Sequence, residues 1–424
     1  MRALVYLSLL LLCTLMGCTK EPAAEPLPLD QFTVMEAVSV RTVQDPYSGG
    51  IIVLCKRAID DPVLAKALFF GANGDLESTL EFAGLTSTVE NITFGTEAWS
   101  ITDLVPLPNN AYLLIGVGIQ TEIDDRIHVL VHRVDRSGNA LAQPVRRFVA
   151  DKGTLVRAND MDELYRTRAL GAMRDPDRLI VTVRYDRADG PLPTAYHRTY
   201  QIALSAGVGS TSGLPVQLVA ADHLIHGLLP DGSGGTLLFM DTENTSGPGK
   251  DVLVTHSMWT DEAEQTVATP FGLRDAVPTS FLMHNGVLAL AGYYQVDADV
   301  RRPFFAASSD LDNIQNAISY PQLAGTDRTA LIRAISPANG GYNATSNVYD
   351  QPVLSIRGLR DDRFCDLTSA QLAADGSVVS TEMVIAAKGL RALGSWGEGN
   401  WLVGAFHPYL NTDYLHTFVL HTTN

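Results

Sequence analysis

Trp99-Ser-Ile-Thr-Asp-Leu-Val-Pro-Leu107, then Pro108-Asn109-Asn110, then Ala111-Tyr-Leu-Leu-Ile-Gly-Val117: this stretch decides the fold. A polar loop, Gln120 to Asp125, follows it. The chain continues as Ile127-His-Val-Leu-Val-His-Arg-Val134, a turn at Arg136-Ser137-Gly138-Asn139, and Leu141 to Val149. Each run is short and rich in Val, Ile, Leu and Tyr, whose branched or aromatic side chains fit a pleated surface better than a helix. Asn109-Asn110 and Ser137-Gly138 supply residues that tolerate positive φ, as tight hairpin turns require. Tyr112-Leu-Leu-Ile115 is continuously apolar, the pattern of a strand covered on both faces. The stretch therefore reads as a four-stranded antiparallel meander.

The rest of the chain repeats it. Second strands are expected to start at Ile51, Ala111, Arg178, Thr236, Val287, Tyr342 and Trp401. The period is about 58 residues, within the range of repeat architectures. Small turn residues precede most of them: Ser48-Gly49-Gly50, Asn109-Asn110, Gly234-Gly235, Asn285-Gly286, Gly340-Gly341 and Gly399-Asn400. Third strands follow at Leu64 to Phe70, Ile127 to Val134, Tyr196 to Leu204, Val252 to Trp259, Phe304 to Ser309, Phe364 to Leu372 and Leu415 to Leu420.

Seven such units in tandem predict an all-β, seven-bladed β-propeller of four-stranded antiparallel blades over residues 29–424. Tandem β-sandwiches would need long crossing connections, and nearly every link here is hairpin-length. The last unit holds only three strands after Leu390. Leu29 to Val34 precedes the first strand of unit one, at Glu36 to Val43, and is expected to complete the last blade. Two places fit less well. Asn343 to Asn347 is polar for a buried strand, and Pro352 to Leu359 looks like an insertion. Asp160 to Met173 carries a capping-box pattern and is expected to be a strand with a helical lead-in.

The chain has 424 residues, 46% of them hydrophobic and 18% charged, which suits a folded protein. That length exceeds what one core usually spans, roughly 250–300 residues, so repeats must share several cores. A formal charge of −16, with no run rich in Lys or Arg, argues against nucleic acid as a partner.

At the N-terminus, Arg2 is followed by an uncharged apolar run from Ala3 to Met16. It has the length of a secretory signal and is too short to span a membrane, which takes about 20 residues. It ends in Leu15-Met16-Gly17-Cys18, which resembles the bacterial lipobox; Met16 departs from the smaller residue usual there. The resemblance implies a signal peptide over 1–17, lipid on Cys18, a tether over 18–28, and membrane anchoring in the cell envelope, on the outer membrane in preference to the inner. Together with the repeat, the pattern resembles bacterial propeller lipoproteins, among them the scaffold lipoprotein that assists outer-membrane barrel assembly. That likeness is architectural and carries over no functional residues. Cys55 and Cys365 remain in the exported part, where a disulfide is chemically possible, but both are expected as buried unbridged thiols that behave as small apolar residues.

No catalytic constellation, cofactor motif or metal-ligand set stands out. Gly232-Ser-Gly-Gly235 reads as a hairpin turn. His128 and His132 lie on one strand face roughly 13 Å apart, too far for one metal. These two, like His223 and His226, read as satisfied or exposed residues. Asp297-Ala-Asp299 and Asp310-Leu-Asp312 lack the rest of a calcium loop. Trp99, Trp259, Trp396 and Trp401 read as core.

The expected role is a binding or scaffolding protein that uses one face of the ring for a protein or glycan partner. The alternative is a carbohydrate hydrolase or lyase with loop-borne carboxylates about 5–10 Å apart. The candidate partner face is the end of the ring bearing the loops between second and third strands. These carry Asp60, Asp61, Asp124, Asp125, Asp186, Asp297 and Asp299, with further acids at Asp241, Glu243, Asp350 and Asp413. The turns of the opposite end are expected to be mostly Gly and Asn, with fewer charges.

Overall fold

The computed structural model describes residues 33–36, 39–56, 65–82, 88–89, 92–93, 99–120, 126–142, 145–151, 168–187, 194–205, 219–220, 224–243, 249–259, 264–297, 300–325, 328–349, 364–397, 401–406 and 414–421. Strand β1 (Thr33–Glu36) comes first. Blade one holds β2 (Ser39–Asp45), β3 (Gly50–Lys56), β4 (Ala65–Phe70) and β5 (Leu76–Phe82). A two-residue hairpin, β6 (Thr88–Val89) and β7 (Ile92–Thr93), follows. Blade two is β8 (Trp99–Leu107), β9 (Ala111–Gln120), β10 (Arg126–Asp135) and β11 (Val145–Asp151). Blade three is β12 (Arg168–Met173), β13 (Arg178–Arg187), β14 (Thr194–Ala203) and β15 (Val219–Ala220). Blade four is β16 (Ile225–Pro230), β17 (Gly235–Glu243), β18 (Lys250–Trp259) and β19 (Glu264–Pro270). Blade five is β20 (Val277–His284), β21 (Val287–Gln295), β22 (Arg301–Ser308) and β23 (Ile318–Ser319). Blade six is β24 (Thr329–Ala338), β25 (Gly341–Tyr349), β26 (Phe364–Ala373) and β27 (Val378–Lys388). Blade seven is β28 (Leu390–Trp396), β29 (Trp401–Phe406) and β30 (Tyr414–His421), joined by β1.

The first strand of each blade touches the first strands of the blades on either side, from β2 through β28 and back to β2, so the ring closes. Its closing device is the expected one. Strand β1 pairs antiparallel with β30, Thr33 opposite Thr417 and Glu36 opposite Tyr414. The pairing lies slightly later in the chain than Leu29 to Val34, and the first strand of blade one starts at Ser39. The turn chemistry also matches: Asn109 and Asn110 have φ of 63° and 55°, and Asn285 and Gly286 have 51° and 76°.

Alternation on the second strands builds the interior. On β9, Ala111, Leu113, Ile115 and Val117 pack toward blade three, while Tyr112 and Leu114 pack toward blade one. On β21, Leu288 and Leu290 face blade four and Ala289 and Ala291 face blade six. Among the described residues there are seven apolar clusters, each at the junction of adjacent blades. Close approach between blades four and five needs Gly227, since a Cβ there would lie 1.7 Å from Cζ of Phe281.

The polar run Asn343 to Asn347 is a buried strand after all, within β25. Its polarity is used across the blade junction. Asn347 Nδ2 donates to the Leu390 carbonyl at 3.1 Å, and its Oδ1 accepts from the Ala392 N–H at 3.3 Å. Arg168 to Met173 is the expected strand; the helical lead-in and Pro352 to Leu359 lie outside the described residues.

Removing residues 26–36 would leave β30 with an open edge. At ~1 kcal/mol per ladder bond, loss of the four-residue β1 pairing should lower unfolding free energy by a few kcal/mol. Urea melts of the two chains measure this, and an unchanged midpoint would refute closure by β1.

Candidate functional site

Neighbouring innermost strands meet in the same order on both: Thr42 and Gln44 with Leu393 and Ser395, Thr102 and Asp103 with Ala169 and Gly171, Thr279 and Ser280 with Ile332 and Ile335. They are therefore parallel, and every second strand ends, and every third begins, at one end of the ring. This is the connection end; the first-to-second turns lie at the other, the turn end.

Of the candidate residues, Cys18, Asp60, Asp61, Asp124, Asp125 and Asp299 lie outside the described residues. Asp186 is the penultimate residue of β13, opposite Ala195 in the ladder. Asp297 is exposed just beyond β21. Both therefore stand at the connection end. So does Asp241, which accepts the Leu224 N–H and lies 3.3 Å from Lys250 Nζ and 3.8 Å from His226 Nε2. Burial lowers His226 to about 4, with the Arg168 and Lys250 charges adding to it against Asp241, so the ring is neutral at neutral pH.

A second polar group lines the innermost strands. Asp103 is 1% exposed. Its Oδ1 meets Arg41 Nε and the Leu104 N–H, each at 2.9 Å, and its Oδ2 accepts the Gly171 N–H at 2.9 Å. Burial raises the Asp103 carboxyl, opposed by the Arg41 charge, these N–H groups and Arg168. Arg168 donates to the Ile225 carbonyl at 3.2 Å. Burial, and next the Arg41 charge, lowers its guanidinium to about 10.

The turn end carries carboxylates as well: among the described residues Asp45, Asp135, Asp175, Asp231, Asp312 and Asp375 lie there, fewer than the acids of the connection-end links. Most of them cap turns. Asp135 Oδ1 accepts the Ser137 and Asn139 N–H groups, and Asp45 Oδ1 accepts those of Tyr47 and Ser48. Asp231 does the same for Ser233 and Gly235, and also reaches outward: its Oδ2 is 3.1 Å from His256 Nε2. The other ring nitrogen, Nδ1, is 2.8 Å from Asp312 Oδ1, on blade five. Both nitrogens face carboxylates, so only the doubly protonated ring donates to both. Burial alone would lower the His256 pKa; its hydrogen bonds to Asp312 and Asp231 outweigh that and raise it. Asp312 is thus committed to a histidine and not to a calcium loop.

The other singled-out residues are structural. Cys55 and Cys365 are both buried and form no disulfide; the Cys365 thiol donates to the Leu390 carbonyl at 3.5 Å. Trp259 donates from Nε1 to Thr236 Oγ1 at 2.8 Å and Trp396 to the Gly71 carbonyl at 3.0 Å, both in the core; Trp401 stacks on Trp396. His132 departs from its reading as a satisfied or exposed residue: its two ring nitrogens are shielded from water without a hydrogen-bond partner among the described residues, and burial lowers its pKa. Among the described residues no three His, Cys, Asp or Glu side chains group as a metal site. Sequence reasoning missed Asp103, Arg41, Arg168 and His256. The available signal was a carboxylate inside an otherwise apolar run, Ile101-Thr-Asp-Leu-Val105.

No family model and no curated protein matches the chain. Similar solved structures include prolyl oligopeptidase B from Galerina marginata bound to a 25mer macrocyclization substrate, at TM-score 0.45 and 7% identity, covering 89% of this chain and 47% of that one. Pyrococcus horikoshii acylaminoacyl peptidase gives 0.44 and 10%, covering 91% and 52%. Drosophila Plexin A in complex with Semaphorin 1b gives 0.42 and 11%, covering 92% and 87%. The chain spans about half the length of the two peptidases.

The His256 bridge ties blade four to blade five. Because folding raises its pKa, its stabilisation is complete below the unfolded value of about 6.5 and is lost as pH rises through the higher folded value. Urea midpoints should therefore fall between pH 6 and pH 9 more steeply in the wild type than in His256→Gln. Parallel pH profiles would sink the assignment.

Proposed function

We propose that this protein is a lipid-anchored component of the cell envelope that binds a protein or glycan partner at the connection end of its ring. The observation that carries the reading is topological. A closed ring of parallel innermost strands sends every second-to-third link to one end, and in this chain every such link, or the strand end beside it, bears a carboxylate. Asp60, Asp61, Asp124, Asp125, Asp186, Asp297 and Asp299 belong to that set. Carboxylates gathered at one end create a negative potential that steers cationic partners or a divalent ion, falling with salt. Arg301 and Arg302 interrupt it on blade five. The lipobox-like ending at Cys18, followed by the Pro-containing segment up to Pro28, supports a tethered ring facing a partner in the envelope.

Two experiments test this. Cys18→Ser should abolish incorporation of labelled lipid and shift the protein from the membrane to the soluble fraction. Membrane retention without incorporated lipid would exclude the anchor. Changing Asp60, Asp61, Asp124 and Asp125 together to Asn should weaken binding of calcium or an oligolysine peptide by about tenfold at low salt and flatten its salt dependence. Equal affinities and slopes in the two proteins would reduce the acidic end to turn chemistry.

A further inference from the structure

The innermost strands of blades one, three and four bring three basic side chains to one part of the ring's inner wall. Arg41 is third in β2, Arg168 first in β12 and His226 second in β16, so all three lie toward the connection end. One carboxylate, Asp103, lies among them, and its contacts are already filled by Arg41 Nε and two backbone N–H groups. Arg168 turns to a carbonyl instead. Arg41 Nη1 and His226 Nε2 are shielded from water and have no hydrogen-bond partner among the described residues. Asp241, the next carboxylate, stands 3.8 Å from His226 Nε2 and is already engaged by Lys250 and the Leu224 N–H. Across the β12–β13 ladder the residue opposite Arg168 is another arginine, Arg184, itself buried. Arg41, Arg168 and Asp103 thus make two guanidinium groups and one carboxylate in a largely desolvated place. A buried charge without a counter-charge is costly, and a buried donor without an acceptor adds to the cost. Among the described residues the group is one anion short.

We propose that this wall binds one small oxyanion, a carboxylate or phosphate group, held by Arg41, Arg168 and His226. A guanidinium fork matches the paired oxygens of either group, and the neutral imidazole, with its proton on Nε2, adds a donor. Arg41 and His226 each keep 18% side-chain exposure, which leaves the site a side open to solvent. The position of His226 is set by a bulge: the β16–β17 ladder shifts register between Ile225 and Gly227, setting His226 outside the regular alternation. Of the acidic residues named for the connection end, Asp241 adjoins this site at His226.

Calorimetric titration of the detergent-solubilised full-length chain tests it, with inorganic phosphate and, separately, glucuronate. Saturable one-to-one binding of at least one of them is expected, and which one binds separates a phosphate ligand from a sugar carboxylate. Arg168→Gln should weaken that binding about tenfold or more, while Arg136→Gln, on the far side of blade two against Glu77, leaves it unchanged. The anion should also raise the melting temperature of the wild type and not of Arg168→Gln. If Arg168→Gln does not fold, His226→Gln replaces it in the same comparison. Absence of saturable binding by both anions, or equal affinities in wild type and variant, overturns the proposal.

Discussion

The structure depends on what happens where innermost strands of neighbouring blades converge. Radial sheets diverge outward from the axis, so these strands approach without forming a continuous ladder. Each presents an edge of backbone N–H and C=O groups that need partners. Side chains supply them. Thr102 Oγ1 donates to the Ala169 carbonyl at 2.7 Å and accepts from the Ala169 N–H at 3.2 Å. Thr279 Oγ1 donates to the Ile332 carbonyl at 2.7 Å, and Thr42 Oγ1 to the Leu393 carbonyl at 2.9 Å. Asp103 and Ser280 accept the N–H groups of Gly171 and Ile335. Five of the seven innermost strands carry a register shift, around Thr102, His226, Thr279, Arg333 and Leu393. An extra residue there is free of the pleat, and its side chain can reach sideways to the next blade.

Apolar packing then needs only nearest neighbours. Each junction has its own cluster, so a chain too long for one core folds around seven small ones. The arrangement is stable only if the last junction forms, because an open ring exposes two apolar faces. Pairing of β1 with β30 therefore couples the start of the chain to its end and makes seven local interfaces one cooperative unit.

The architecture was legible because its signals are local. Turn residues with positive φ and runs of alternating or doubly buried strands recur within each unit, and their period shows without any knowledge of distant contacts. The bridging chemistry was not. Thr102 and Ala169 are 67 residues apart, and Thr42 and Leu393 are 351 apart. Nothing near Asn343 to Asn347 announces that the Asn347 amide serves the next blade, so the run reads as too polar for a buried strand. The turn-end carboxylates are hard to read for a related reason: Asp at the start of a turn belongs to the turn chemistry itself, its oxygens accepting turn N–H groups. The basic group at Arg41, Arg168 and His226 exists only once blades one, three and four are brought around the axis.

That difference bears on where a propeller keeps its function. A carboxylate that caps a turn has its hydrogen bonds filled by the chain itself, as Asp45, Asp135 and Asp231 do. Removing such a residue costs stability and leaves recognition untouched. The inner wall is different. There the fold demands polar side chains to serve strand edges, and any surplus of charge is held in place by the same packing that buries it. Asp103 balances Arg41 through a direct contact, whereas Arg168 is held by a carbonyl that cannot neutralise it. A rigid, desolvated cation is a poor stabilising element and a good receptor for an anion, because its reorganisation cost was met on folding. The constraint that closes the ring thus also creates, at its axis, a place prepared for a ligand.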